Sequence, residues 1–453
     1  MKFDDLLELG DIVDIRYPAK GFIVIKPYGM LAIKNLYRLF ERELEIDGHE
    51  PVHFPAVIPE RNLRLEEEHF KGFEGEVFWI TRAGLNELEE RYVLRPTSET
   101  AIYPMYALWI KSYRDLPVKY YLSGTVWRYE TKSTRPLIRG REFLWIETHD
   151  AFRNEKEARS QISRDLEISR RVIRDRLKLD FIMVRRPSWD RFAGAVDTYA
   201  VDTLLPDGKV LQIATTHYLG ENFARVFNVK YMDDTETDRY VHQTCFGIGI
   251  NRILAATIYN HADETGLRFP SSIAPYQAVI VPIHPVSDMY IDRVMEIYSK
   301  YRLKVDRREG ITPGNKFYYW DKRGVPIKII VGKREEENST ITISTRSGIK
   351  ETIPLGEDLD KYFEYYDDSI KQTLKIYDAK DLEDLKKILD AGGIARAPFC
   401  SIEKEGEECY RVIKERFKAE IRGVRIDVEE KPEGKCIVSG RKAEYTVYIA
   451  KQY

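Results

Sequence analysis

Three short segments of the 453-residue chain carry side chains able to grip anions or share a proton. The first is Arg95-Pro96-Thr97-Ser98-Glu99. The second is Arg128-Tyr129-Glu130, followed by a basic polar loop and then Arg139-Gly140-Arg141-Glu142-Phe143. The third, Gly247-Ile248-Gly249-Ile250-Asn251-Arg252, opens the apolar run ILAATIY. An arginine on a rigid strand offers a planar fork of donors matched to carboxylate and phosphate oxygens. A second arginine at a helix start adds to the anion preference of the helix N-terminus. Joining a carboxylate to a phosphate asks mainly for positioning and charge stabilisation. Each segment alone also has a structural explanation. Arg128 and Glu130 could form a simple ion pair, and glycines ahead of a helix could serve only close packing. Taken singly, the structural explanation is favoured for all three; their order is what makes them specific.

The elements that must hold these residues are readable from periodicity. Residues 117–131 alternate as a strand, and 141–152 read as its antiparallel partner across the loop. Residues 29–45 have helical spacing, and GHEPVHFPAVIPE after them reads as a strand closed by prolines at Pro55. Asn154 with Glu157 predicts a capping box. It opens a long helix whose inner face is Ala158, Ile162, Leu166, Ser169, Ile173 and Leu177. Residues 180–255 read as strands and turns. From 276 to 375 strands alternate with helical stretches, predicting a compact α/β domain. Charged text follows to 453 and ends in the alternating YTVYIAKQY. Three domains are expected: 1–275, 276–375 and 376–453.

Composition bounds the reading. Hydrophobic residues make up 43% and charged residues 32%, as in a globular chain. Lys+Arg at 72 against Asp+Glu at 74 leaves a net charge of −2, so no global nucleic-acid signal exists, although a basic face can sit inside a neutral total. No apolar run approaches the ~20 residues of a membrane span. The acidic N-terminus lacks the charge pattern of a signal peptide. Cys245, Cys400, Cys409 and Cys436 are too few for a disulfide framework, and the clustering of three of them hints at metal. A cytoplasmic multidomain protein with no membrane partner is expected.

In this order the three segments resemble the signature motifs of class II aminoacyl-tRNA synthetases. The helix and strand ending at Pro55 resemble motif 1, Arg128-Tyr129-Glu130 with its loop and returning strand motif 2, and Gly247 through Arg252 motif 3. The finer resemblance is to prolyl-tRNA synthetases of the archaeal/eukaryotic-like branch. It is carried by RPTSETAIYPMYALWIKSYRDLPVKYY, WRYETKSTRPLIRGREFLWIETHDAF, WDRFAGAVDT, LQIATTHYLGENFA, QTCFGIGINR and TGLRFPSSIAPYQAVIVPI. RPTSE together with REFLW distinguishes this family from the threonyl, seryl and glycyl enzymes of subclass IIa.

The resemblance implies an α/β (α+β) protein: a catalytic core with an antiparallel sheet flanked by helices, an α/β anticodon-binding domain and a small C-terminal α+β domain. It implies activation of proline by ATP with Mg²⁺ to prolyl-adenylate, then transfer to tRNA(Pro), by a homodimer. Thr97 and Glu99 would hold the imino nitrogen. Arg128 would contact the substrate carboxylate and α-phosphate, and Glu130 the adenine amino group. Arg139 or Arg141, with Arg252, would hold the phosphate tail, and Phe143 would stack on adenine. Gln212 and Thr215 would contact the nucleotide. Trp145, Glu147, His149, Phe192 and His217 would shape the pyrrolidine pocket, and Cys245 would line it or simply pack nearby. Against this, Trp145 and Phe192 could be core aromatics, and His149 could be a buried histidine bonded to Glu147. His242 and His261 are given no role.

The interval between Arg128 and Arg252 is too short for the editing insertion of the bacterial-type branch, so proofreading in cis is not expected. The run Lys316-Phe317-Tyr318-Tyr319-Trp320 with Lys322 and Arg323 is expected to meet RNA, unless its aromatics are core. The family's C-terminal domain can hold a four-cysteine zinc site. Cys400, Cys409 and Cys436 match three positions, while the fourth falls on Ser439. A neutral hydroxyl is a poor ligand beside thiolates, so bound zinc is disfavoured. Two rival readings stand beside this one: a subclass IIa synthetase for another small amino acid, and a non-catalytic synthetase-like RNA-binding paralogue.

Overall fold

The structure, a computed structural model, describes residues 1–65 and 74–453. Its centre is an eleven-stranded sheet. From one edge the strands are Glu50–Pro51, Val118–Trp127, Glu142–Phe152, His242–Ile248, Val210–Gly220, Asp197–Leu204 and Ile182–Arg185. Four strands from the end of the chain continue it: Glu420–Arg425, Tyr445–Ala450, Ile394–Phe399 and Ile376–Asp378. Only the outermost pair at each edge is parallel. The C-terminal segment therefore extends this sheet, with Val424 opposite Arg185 and Arg425 opposite Val184.

Alternation along Glu142–Phe152 sorts its side chains by period two. Phe143, Trp145, Glu147 and His149 share one face, and Ile146 and Asp150, both fully buried, point to the other. That back face is covered by helices Pro27–Ile46, Glu155–Ser169 and Ile250–His261, whose apolar stripes build the main core. Gly247 lies directly under Trp145: a Cβ there would sit 2.3 Å from the indole. Glycine at this position is what lets the aromatic ring lie flat over the strand.

Two elements differ from expectation. Residues 52–54 do not form a strand; pairing is confined to Glu50–Pro51 and, in a separate small sheet, Val57–Pro59. Val52 still donates to the Tyr121 carbonyl (2.9 Å), but Pro55 has no amide to continue the ladder. The helix after Asn154 is α-helical over Glu155–Ser169 and π-helical over Arg170–Arg176, while Ile173 and Leu177 stay buried as predicted. Asn154 caps the Glu157 amide at 3.0 Å. The Glu157 carboxylate, however, takes the Asn154 side-chain amide and the Arg153 backbone amide, so the reciprocal arm of the box is replaced.

Residues 278–354 form a five-stranded sheet in the order Leu303–Val305, Ala278–Pro282, Ile327–Val331, Thr340–Thr345, Lys350–Pro354. The first three are parallel and the last two antiparallel. Helices Asp288–Ile297 and Asp360–Asp368 contribute to its core. Among the described residues no helix is long and apolar enough to cross a membrane.

Candidate active site

Sheet register assembles the site. Glu147 stands opposite Leu122 on one neighbour and Gly247 on the other; His149 stands opposite Cys245, and Cys245 opposite His217. Thr215 faces Gly247, and Thr198 faces His217. Positions distant in the chain thus form two adjacent cross-strand rows on one face, Leu122–Glu147–Gly247–Thr215 and His149–Cys245–His217–Thr198. Two cavities open over it, sharing Arg128, Phe143, Trp145 and Arg252 as a common wall.

The first cavity, about 290 Å³, is lined by Arg128, Glu130, Arg139 and Arg252, with Phe143 and Trp145. Arg128 donates to the Pro96 carbonyl (3.1 Å) and lies over the Phe143 ring at 5.5 Å. Arg252 donates to the carbonyls of Ile138 (3.0 Å) and Gln212 (3.1 Å). Burial, then the like charges of Arg128 and Arg139, press the Arg252 pKa down to about 10. Burial also lowers Arg128, against the opposing pull of Glu76, Glu147, Glu99 and Glu130. Buried cations that repel one another favour an incoming anion. Arg139 stands 3.6 Å from Glu130.

Arg141, offered as an alternative to Arg139, does not line this cavity. Its guanidinium donates to the carbonyls of Glu130 and Lys20 and covers the Tyr129 ring at 4.1 Å, so it shapes the loop instead. Phe22 and Glu76 also line the cavity. They come from segments without a motif, and no signal in the sequence marks them.

The second cavity, about 240 Å³, is lined by Thr97, Glu99, Trp145, Glu147, His149, Phe192, Gln212, Thr215, His217 and Cys245. Gln212 and Thr215, expected at the nucleotide, stand on this side, next to the shared wall. Two buried carboxylates meet here. The Thr97 hydroxyl donates to Glu99 at 2.6 Å and lies 3.3 Å from Glu147. Glu147 also takes the Ser98 amide (3.0 Å) and the His149 Nε2 proton (2.9 Å). Burial opposes a charge on His149, but the bond to Glu147 and the charges of Glu99, Glu147 and Asp150 outweigh it, so its pKa is raised. Phe192 and His217 lie ring to ring at 4.6 Å, and Thr198 fixes His217 through Nδ1 at 3.0 Å. Arg95 locks the loop from below, donating to the carbonyls of Thr125 (3.0 Å) and Phe54 (2.9 Å). A Cβ at Gly124 would meet its guanidinium at 2.7 Å.

The C-terminal thiols are gathered too: the sulfurs of Cys400, Cys409 and Cys436 lie within 4.8 Å of one another. The Arg441 guanidinium sits against two of them, 3.2 Å from Cys400 and 3.8 Å from Cys409, and donates to the Ser439 hydroxyl at 3.3 Å. Three thiols with one hydroxyl fall one N or S donor short of the four that close a tetrahedral structural zinc site.

On one face of the sheet an arginine-lined cavity thus adjoins a carboxylate-lined one. Residues 78–261 match the tRNA synthetase class II core domain (G, H, P, S and T), and 277–362 match the anticodon binding domain. Residues 382–453 match the prolyl-tRNA synthetase C-terminal family. The chain is 46% identical to the Proline–tRNA ligase of Thermofilum pendens, covering 100% of this chain and 96% of that one. It is 38% identical to that of Nanoarchaeum equitans, covering 100% and 98%. Among solved structures, Giardia lamblia prolyl-tRNA synthetase in complex with prolyl-adenylate superposes with a TM-score of 0.93 at 34% identity, covering 100% of this chain and 97% of that one. The Cryptosporidium parvum prolyl-tRNA synthetase complexed with L-proline and AMP does so at 0.90 and 26%, covering 100% and 94%. The chain belongs to the prolyl-tRNA synthetase family.

Proposed function

We propose that the chain works as a proline–tRNA ligase: proline and ATP, bound as its Mg²⁺ complex, give prolyl-adenylate and pyrophosphate, and the prolyl group passes to tRNA(Pro). The observation that carries this is the division of charge across the shared wall. An anionic nucleotide suits the cavity of Arg128, Arg139 and Arg252; a cationic secondary amine suits that of Glu99 and Glu147. Arg128 spans both and can bridge the attacking carboxylate and the α-phosphate. Glu99 and Thr97 hold the imino nitrogen, while Trp145, His149, Phe192 and His217 enclose the ring. Phe143 stacks on adenine, Glu130 takes its amino group, and Arg252 with Arg139 steadies the phosphate tail. No protein nucleophile is needed; orientation and charge stabilisation carry the step. Pyrophosphate exchange measured with each of the twenty amino acids tests the reading. Exchange with proline is expected. Exchange with threonine or serine alone would reassign the substrate, and none at all would remove the enzyme.

The same reading includes residence in the cytoplasm and a two-fold dimer. The short strand Glu50–Pro51 lies at an open sheet edge, and Leu108 and Trp109 are exposed. Light scattering at micromolar concentration should give twice the chain mass.

Residues 276–375 are proposed to bind the anticodon loop, with a revised set of contacts. Lys316 and Trp320 are buried and bonded to Asp306, at 3.0 and 2.8 Å, so they belong to the domain's structure. Tyr318 is exposed, and Arg308 and Arg323 lie 3.8 and 4.0 Å from the Tyr319 ring centroid. Truncation after 275 would strip strand Glu420–Arg425 from the catalytic sheet. Tyr318→Ala, read as charging against unchanged adenylation, is therefore the cleaner test.

The C-terminal cluster is read as a metal-free thiol–guanidinium contact. Metal analysis after dialysis should find no stoichiometric zinc, and Ser439→Cys should raise zinc affinity.

A further inference from the structure

The wall of the second cavity is tied to the C-terminal segment by a buried ion triad. Asp202, fully buried on strand Asp197–Leu204, stands opposite Gln212 in the sheet, beside a register shift between Val201 and Asp202. Both of its carboxylate oxygens are forked twice. Arg186, itself fully buried, donates to them at 3.0 and 2.9 Å. Arg422, from strand Glu420–Arg425 at the far side of the seam, donates at 2.8 and 3.2 Å. Arg186 then reaches across to the Gln212 side-chain oxygen at 2.7 Å and to the Arg422 carbonyl at 2.7 Å. Arg422 is held at its other end by Gln452.

The chemistry of this chain of contacts is directional. A primary amide has one acceptor oxygen and one nitrogen carrying two donors. With Oε1 taken by Arg186, the carboxamide of Gln212 is held against turning over at the wall of the cavity it lines, and its nitrogen is the end with donors to give. Its backbone carbonyl meanwhile holds Arg252 at 3.1 Å. Asp190 stands 3.5 Å from the Arg186 Nε, so two guanidinium groups face two carboxylates, the buried Asp202 and the exposed Asp190, and the second guanidinium arrives only with the C-terminal strand. With Arg422 forked to the same two oxygens, the Asp202 carboxylate is held from both sides, and it in turn holds the Arg186 fork that reaches Gln212.

We infer that Arg422 is a positioning residue for the adenylation site, acting through Asp202 and Arg186 to fix the Gln212 amide with its donors toward the substrates. This rests on the reading of the cleft as an amino-acid-activating site. It makes the C-terminal segment part of the machinery of activation, beyond its role as an added lobe.

The test is a mutant cycle on the full-length chain. Arg422→Met is expected to lower kcat for proline-dependent pyrophosphate exchange about tenfold or more, the order of loss that a slightly misplaced group causes. The proline KM should change less than kcat. Gln212→Ala should show a similar loss, and the double variant should be no worse than the poorer single one, because both act on the same amide. Arg422→Lys keeps the charge but not the fork, so an intermediate kcat is expected; it also serves if Arg422→Met fails to fold. Losses that multiply in the double variant, or a lowered melting temperature with unchanged kcat, would overturn the inference. If the wild-type chain shows no proline-dependent exchange, the functional reading fails separately. The same four-protein cycle in AMP affinity by calorimetry then decides whether Arg422 and Gln212 are coupled.

Discussion

The two cavities of the cleft share a wall and bury opposite charges. On the arginine side, Arg252 donates to carbonyls, and burial, with the like charges of Arg128 and Arg139, presses its pKa down to about 10. On the amino-acid side, Glu147 is bonded to Thr97, Ser98 and His149, a neutralising set built by the protein itself. The difference shows where each side obtains its counter-charge. On the arginine side the cations repel one another, and Glu130, 3.6 Å from Arg139, is a carboxylate at hand. The carboxylate side is bonded to the protein's own donors, with Glu99 taking the Thr97 hydroxyl at 2.6 Å. Loss of a residue from the first side should therefore fall on catalysis, and loss from the second on selectivity.

The largest effect is expected at the residue common to both. Arg128→Ala should lower pyrophosphate exchange by about a thousandfold, as removal of a charge-stabilising donor does. A loss confined to the KM of proline would break the comparison. Glu99→Gln should lower proline activation roughly a hundredfold while leaving the affinity for a non-hydrolysable ATP analogue nearly unchanged. Equal loss of both would show that Glu99 holds the loop and does not meet the substrate. Phe143→Leu should raise the ATP KM by only about fivefold, the size of one aromatic stacking contact. Calorimetry with the ATP analogue and with proline separately would show whether the effect stays on the nucleotide side.

The smallest effect concerns stability. The His149 pKa is raised above its ordinary 6.5 in the folded chain. The protonated form is thus favoured by folding, and its contribution is complete below 6.5 and lost as pH rises through the raised value. Thermal unfolding between pH 6 and 9 should show this decline, and His149→Gln should flatten it. An unchanged slope in the variant would mean that the Glu147–His149 pair does not carry a proton.

Motifs lying along one strand were legible because period two alone places Phe143, Trp145, Glu147 and His149 on a shared face. Arg128, Glu130 and Arg252 were legible through their order. In the run from Lys316 to Arg323 the alternative of a core aromatic holds for Trp320: helix Pro313–Lys322 turns it and Lys316 inward, toward Asp306, and leaves Tyr318 exposed. Nothing in local spacing distinguishes those faces when aromatic and basic residues occupy both. The same holds for Arg141, which differs from Arg139 only in the direction the loop gives it.

Local pattern is sufficient where neighbours in sequence are neighbours on one face, since backbone geometry repeats every two residues in a strand. It is enough for the strand pair that carries the candidate site and for the family. It is silent where partners are distant. Asp202 and Arg422 are 220 positions apart, and each would pass as an ordinary surface charge. Their pairing exists because strand Glu420–Arg425 hydrogen-bonds to Ile182–Arg185 and carries a guanidinium into the interior. Burying that charge is tolerable only with a carboxylate already there to receive it. Tertiary contact alone therefore decided that the C-terminal segment is continuous with the catalytic sheet.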